Sequence, residues 1–267
     1  MTMEHSGGGD PDRSLALLWR ERGPAAAAPA RGRKPTLTLD RIVTAALALA
    51  DAEGSAAASM HRVAKELGSG TMTLYTYVPA KAELLDLMID EVLTERALPA
   101  PGDPRPDGWR AQVRLYAERT RAMFLRHPWL RQVSMVRPAL GPGVMAGQEY
   151  LLSTVSGLGL SPRQVVAAAS SIDAYVTANA ASAAAGQQLE QATGETTDTW
   201  WDQRTVFWEK YFDVERHPSI VRVWTDGGYE VSTAEAAAEA YEFGLDRLLD
   251  GIDALIGTGR GGGTGKA

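Results

Sequence analysis

The stretch Gly68-Ser-Gly-Thr-Met-Thr-Leu-Tyr-Thr-Tyr-Val-Pro-Ala-Lys81 decides how this chain is read. It follows one amphipathic segment and precedes another. At about 100° per residue on a helix, Thr71, Leu74, Tyr75 and Val78 fall on one side, and Met72, Thr73, Thr76 and Tyr77 on the other. The first set is the natural inner face. The second exposes a methionine, two hydroxyls and a phenol, with no charge. A surface that meets only water usually carries Glu and Lys, so this one suits a polyanionic, hydrogen-bonding partner. Thr and Tyr hydroxyls reach phosphates and base edges, and Met and Thr methyl groups reach thymine methyls.

Upstream, Leu39, Ile42, Val43, Ala46, Leu47 and Ala50 repeat at i, i+3, i+4, i+7, i+8 and i+11, one face of a helix that Thr38 can cap and Gly54 can stop. Met60, Val63, Ala64 and Leu67 repeat the spacing over a shorter helix, from Ser59 or Ser55 to Gly68. A short helix, a Gly-Ser-Gly turn and a second helix make a helix-turn-helix, whose second helix enters the DNA major groove. Pro79 ends that helix, and the next is predicted over 81–98, with Leu84, Leu85, Met88, Ile89 and Val92 for packing. Its start carries free N–H groups and a positive dipole end, so Lys81 there suits a phosphate clamp. By composition alone, two short helices joined by glycines also fit any helical core.

The chain has 267 residues and net charge −6, but residues 31–81 hold seven basic and four acidic residues. A small basic module therefore sits on an acidic body, and charge distribution matters more than its sum. Arg31, Arg33 and Lys34 lie just upstream of the module. They read either as an arm entering the minor groove or as a solvated basic run. There is no cysteine, which excludes disulfides, thiolate nucleophiles and Cys-ligated zinc and fits a cytoplasmic protein. The start of the chain lacks a signal-peptide pattern. The apolar window 165–185 contains Asp173 and Asn179 and reads as a buried helix, so no membrane partner is expected.

Residues 1–36 are punctuated by Gly and Pro and read as a flexible arm, although Leu15, Leu18 and Trp19 at i, i+3, i+4 also fit a short docked helix. Four prolines within 98–108 mark a boundary. The division is thus 37–98 for the helix-turn-helix and 108–256 for a helical body. Body helices are predicted over 109–126, 144–158, from Ser161-Pro162 onward, 199–214 and 233–256; the Gly-rich 257–267 reads as a disordered tail. No strand is predicted, so the fold class is all-α. Ala168, Ile172, Val176, Ala180 and Ala184 step by four along one helix. With the apolar stripe of 241–256 they fit either a four-helix dimer interface or packing inside one subunit.

Residues 39–93 resemble the DNA-binding domain of the TetR family of bacterial transcriptional regulators. The likeness is carried in order by Ala64 and Leu67-Gly68, Leu74-Tyr75, the aromatic Tyr77, and Lys81 with Leu84-Leu85. It implies DNA contacts from Thr73, Thr76, Tyr77 and Lys81, with Met72 and His61 nearby. It also implies a two-fold homodimer, a double-stranded operator, and a helical C-terminal domain that senses a small molecule. Gly70-Thr71-Met72 departs from the pattern and leaves few polar groups for base reading at the helix start.

The expected effector is small and apolar or amphipathic, because ligand pockets are mostly apolar with a few polar handles. Phe124, Trp129 and Trp208 are candidate walls, and His127, Tyr150, Asp173, Tyr175 and Asn179 candidate handles. The alternative is a DNA-binding regulator without a ligand, controlled by a partner or by abundance. The four histidines are scattered, and no His-x-x-x-His, phosphate loop or Gly-x-Ser-x-Gly is present. The chain is therefore read as a non-enzyme, with no cofactor and no metal.

Overall fold

The structure is a computed structural model that describes residues 4–20 and 37–261. Arg31, Arg33 and Lys34, and the tail from 262 on, lie outside the described residues. The chain forms two compact units, Met1–Ala184 and Ala185–Ala267, rather than dividing in the proline-rich linker.

In the first unit the order is β1 (Glu4–His5), α1 (Pro11–Leu18), α2 (Leu39–Glu53), α3 (Met60–Glu66), α4 (Thr71–Tyr75), α5 (Lys81–Thr94), α6 (Trp109–Arg126), β2 (Val133–Ser134) and α7 (Pro142–Val155). Then comes α8 (Pro162–Thr193), inside which the unit ends. The caps follow the sequence. Thr38 accepts from the Arg41 N–H, Ser59 from the Arg62 N–H, and Asp10 from the Arg13 N–H. Ile42, Val43, Ala46, Val63, Ala64, Leu74, Leu84 and Met88 share one core with Phe124, Trp129, Leu130, Ala180 and Ala184. That shared core is why the linker does not separate two bodies.

Residues 4–20 are folded, contrary to the flexible arm expected over 1–36. β1 pairs in parallel with β2, with Glu4 opposite Val133 and His5 opposite Ser134. Leu18 is buried in the common core, and the Trp19 Nε1–H donates to the Leu140 carbonyl at 2.8 Å. The segment also satisfies acids that α5 buries. The Gly7 N–H donates to Asp86 Oδ1 (2.8 Å) and the Asp10 N–H to Glu83 Oε1 (3.0 Å). Two-residue strands have no room for alternation, which is why none is predicted from the sequence.

Ile172, Val176, Ala180 and Ala184 are buried within the chain, as are Leu245, Leu249 and Ile252 of the C-terminal stripe. Leu255 of the same stripe is 46% exposed.

The second unit holds the rest of α8, then α9 (Thr197–Asp202), α10 (Thr205–Lys210), α11 (Pro218–Thr225) and α12 (Thr233–Gly261). The single helix predicted over 199–214 is broken at Gln203 and Arg204. The α12 backbone continues to Gly261, past the predicted start of the tail at 257. None of α9, α10 and α11 has a fully buried residue. Their aromatics pack on one another instead. Trp208 lies 5.0 Å from each of Phe207, Phe212 and Trp224, ring centre to ring centre.

Candidate nucleic-acid interface and ligand cavity

The reader is built from α3, a tight turn and α4. The Ser69 N–H donates to the Ala64 carbonyl (2.9 Å) and the Gly68 N–H to Lys65 (3.1 Å). This is a Schellman closure with Gly68 at φ +62, the left-handed region that favours glycine. Leu74 and Val78 are buried, so α4 presents its other side outward. Met72 is 77% exposed, and Thr73 and Thr76 are exposed as well. Thr76 Oγ1 donates to the Thr73 carbonyl at 2.7 Å. His61 is exposed on α3, its Nδ1 3.5 Å from Thr71 Oγ1.

Two tyrosines depart from the helical wheel. Tyr75, assigned to the inner face, is exposed; Tyr77, assigned to the outer face, is half-buried against the core. The helix ends at Tyr75, and the Tyr77 N–H donates to Leu74, three residues back. The α-helical angle per residue therefore stops applying just where the wheel is extrapolated.

Lys81 sits at the start of α5, as predicted, but its ammonium is engaged. It donates to Glu4 Oε1, the acid at the head of β1. Burial alone would raise the Glu4 carboxyl; the Lys81 ammonium reverses this and holds it below the ordinary range.

A cavity of about 750 Å³ lies within the first unit, walled by parts of α5, α6, α7, α8 and the 130–139 segment. That volume is in the range of small-molecule sites. Its walls are mainly apolar, including Ile89, Met123, Phe124 and Leu151, and Ser6 and Ser134 reach it beside the β1–β2 pair. The polar wall includes Arg96, Tyr116, Thr120, Arg131, Gln148 and Asp173. The Arg96 Nη1–H donates to Tyr116 Oη (3.0 Å), which donates to Asp173 Oδ1 (2.6 Å). Burial pushes the Tyr116 hydroxyl well above its ordinary range, so it holds its proton.

Of the sequence candidates, Phe124 and Asp173 border this cavity. His127 does not: it is buried, with Nδ1 2.7 Å from Asp51 Oδ1 and Nε2 3.0 Å from Glu95 Oε2. Trp129 is buried and donates from Nε1 to the same Asp51 oxygen at 2.8 Å. Tyr150 is buried and donates to the Gln112 carbonyl at 3.1 Å. Asn179 donates to the Tyr175 carbonyl at 2.8 Å, and neither residue borders the cavity. Trp208 borders a smaller hollow of about 190 Å³ in the second unit. Arg96, Tyr116 and Thr120 were not anticipated. Their only sequence signal is Tyr116 and Thr120 at i, i+4 on one helical face.

An all-α chain with a helix-turn-helix whose outward face is uncharged, joined through one long helix to a cavity, defines a DNA-binding regulator of the TetR class. The model of the tetracyclin repressor-like C-terminal domain matches residues 99–256, and the chain belongs to the TetR family. It is 43% identical over 258 residues to the HTH-type transcriptional repressor DrrR1 of Streptomyces coeruleorubidus, covering 97% of this chain and 91% of that one. Among solved structures it resembles ActR of Streptomyces coelicolor. The apo form has TM-score 0.65 at 31% identity, covering 85% of this chain and 99% of that one. The complex of ActR with actinorhodin has TM-score 0.67 at 33% identity, covering 83% and 97%. Among the described residues no helix is long and apolar enough to cross a membrane, and no group of acids and histidines could hold a metal ion.

Proposed function

We propose that this protein is a repressor that sits on a palindromic operator as a homodimer in the cytoplasm and is released by a small, largely apolar effector. In this reading residues 37–98 bind DNA through Thr73, Thr76, Met72, His61 and Lys81, and Tyr77 mainly sets the pitch of the reader. Residues 108–256 bind the effector and dimerise. No enzymatic step is part of the reading.

One observation carries it. α5 begins at Lys81, beside the reader, and Ile89 and Leu93 near its other end wall the cavity. A 14-residue helix is a stiff rod of roughly 21 Å, so a change in the cavity wall tilts the reader. Half-site spacing is fixed by DNA, and a tilt misplaces one recognition helix of a pair. The capture of actinorhodin by ActR supports the effector part of the reading. The homodimer is supported by apolar side chains left exposed on the second unit: Trp200, Trp201, Phe207, Trp224, Phe243 and Leu255.

The test is a footprint on the DNA flanking the protein's own gene, with sedimentation of the same complex. The expected result is a dimer protecting two half-sites about one helical turn, roughly 34–36 Å, apart. A monomer that holds a single half-site tightly contradicts the proposal.

A further inference from the structure

Arg96 is 6% exposed, yet among the described residues it makes no ion pair with a carboxylate. Its Nε–H donates to the Leu93 carbonyl (3.1 Å), one Nη1–H to Tyr116 Oη (3.0 Å) and one Nη2–H to the Gly143 carbonyl (3.4 Å). A guanidinium has five N–H donors, so two remain unassigned. Taking a cation out of water is costly, and neutral acceptors return only part of that cost. The Arg96 Cζ lies 5.3 Å from the centre of the Tyr116 ring, and the nearest carboxylate in this network is reached at one remove, through the Tyr116 hydroxyl to Asp173. Thr120 lies one turn beyond Tyr116 on the same face of α6. It is 1% exposed, and its Oγ1 has no hydrogen-bond partner. Arg96 and Thr120 border the same cavity. A buried cation with spare donors and an unpartnered buried hydroxyl on one wall is an incomplete constellation, and its missing member is an anion.

We infer that this cavity holds an anion subsite formed by Arg96 and Thr120, and that its ligand is a largely apolar molecule bearing a carboxylate or an acidic hydroxyl. This rests on the reading of the cavity as the effector site. The apolar walls at Phe124, Met123 and Leu151 take the apolar body, and the acidic oxygen receives the free N–H groups of Arg96 and the Thr120 hydroxyl. Charge-assisted bonds of this kind are the strong ones. A cationic ligand held by Asp173 fits less well. That carboxylate already accepts from Tyr116 at 2.6 Å and from Thr177 at 3.3 Å, and the residue is open to solvent. The subsite also reaches the lever. Arg96 ties the Leu93 carbonyl, in the last turn of α5, to the Gly143 carbonyl, at the start of α7. An anion that draws the guanidinium into the cavity loosens that tie.

The experiment is calorimetric titration of the full chain with 9,10-anthraquinone-2-carboxylate and with its uncharged carboxamide. The wild type is expected to bind the carboxylate about tenfold more tightly. Arg96→Met should abolish that preference while leaving the carboxamide within about twofold of its wild-type affinity. Thr120→Val keeps the shape and removes only the orphan hydroxyl, so it tests the subsite even if the arginine variant fails to fold. It should weaken the carboxylate by roughly three- to tenfold and leave the carboxamide unchanged. Equal binding of the two probes to the wild type overturns the anion subsite and leaves the cavity as a ligand site. Binding of neither overturns both.

Discussion

Thr73 and Tyr77 differ in what a substitution removes. Thr73 is exposed and touches nothing that the fold needs, so Thr73→Ala is expected to weaken operator binding by about 1–3 kcal/mol with no change in thermal midpoint. Tyr77 packs against the core, so Tyr77→Ala should lower the thermal midpoint as well as the affinity. Equal melting of the two variants would show that Tyr77 is a surface residue. A second contrast concerns Asp90, which is buried and accepts from the Gly143 and Val144 N–H groups at 2.9 and 3.1 Å. Asp90→Ala strands those donors and should cost about 1–3 kcal/mol, whereas Asp90→Asn keeps an acceptor. Burial raises the carboxyls of Asp86 and Asp90 above the ordinary range despite these bonds. A raised folded value means their contribution to stability is full below the unfolded value, near 3.9. It falls as pH rises through the folded value. Denaturant titrations should therefore show Asp90→Asn gaining on the wild type as pH climbs from about 4. A flat difference across that window contradicts the assignment.

At the scale of elements, the β1–α1 segment is a strap across the reader's anchoring helix. Its Glu4 carboxylate occupies the Lys81 ammonium that the phosphate reading needs. DNA and Glu4 compete for that charge, so Glu4→Gln is expected to raise operator affinity and steepen its salt dependence by about one counterion. Lys81→Ala should weaken all sequences alike and lower the slope by about one. Unchanged salt slopes in both variants would remove Lys81 from the interface. The helices α2, α3, α5 and α6 were legible in the sequence because each carries apolar residues at helical spacing, α4 because glycines and a proline bracket a two-sided stretch, and Thr38 and Ser59 cap their helices as read. The strap was only half legible, through Leu15, Leu18 and Trp19, because its partners are acids of α5 and two residues of β2 far along the chain. The break between α9 and α10 was hidden because aromatics on both sides continue an apolar pattern without a Gly or Pro to punctuate it.

On the scale of the whole molecule, the helical class and the TetR family could be read from the helix-turn-helix and its neighbours. The cavity could not. Its walls come from segments spanning Ser6 to Ala181, and its polar members look like surface residues in the sequence. Arg96 follows a helix end, where an arginine is ordinarily solvated. His127, Trp129 and Tyr150 have the chemistry of pocket residues, but their polar atoms are spent on Asp51, Glu95 and the Gln112 carbonyl. Residue type therefore identified only Phe124 and Asp173 among the walls.

The central claim is that the cavity and the reader are coupled through α5. A ligand that moves the protein from 99:1 to 1:99 in favour of the released form needs about 5.5 kcal/mol of preference for it. By linkage, DNA must weaken the ligand by the same factor that the ligand weakens DNA. The direct measurement is the affinity of one cavity ligand, titrated with and without saturating operator DNA. The account predicts that the operator lowers the ligand's affinity by the factor with which the ligand lowers the operator's. Equal ligand affinity in the two titrations would contradict it.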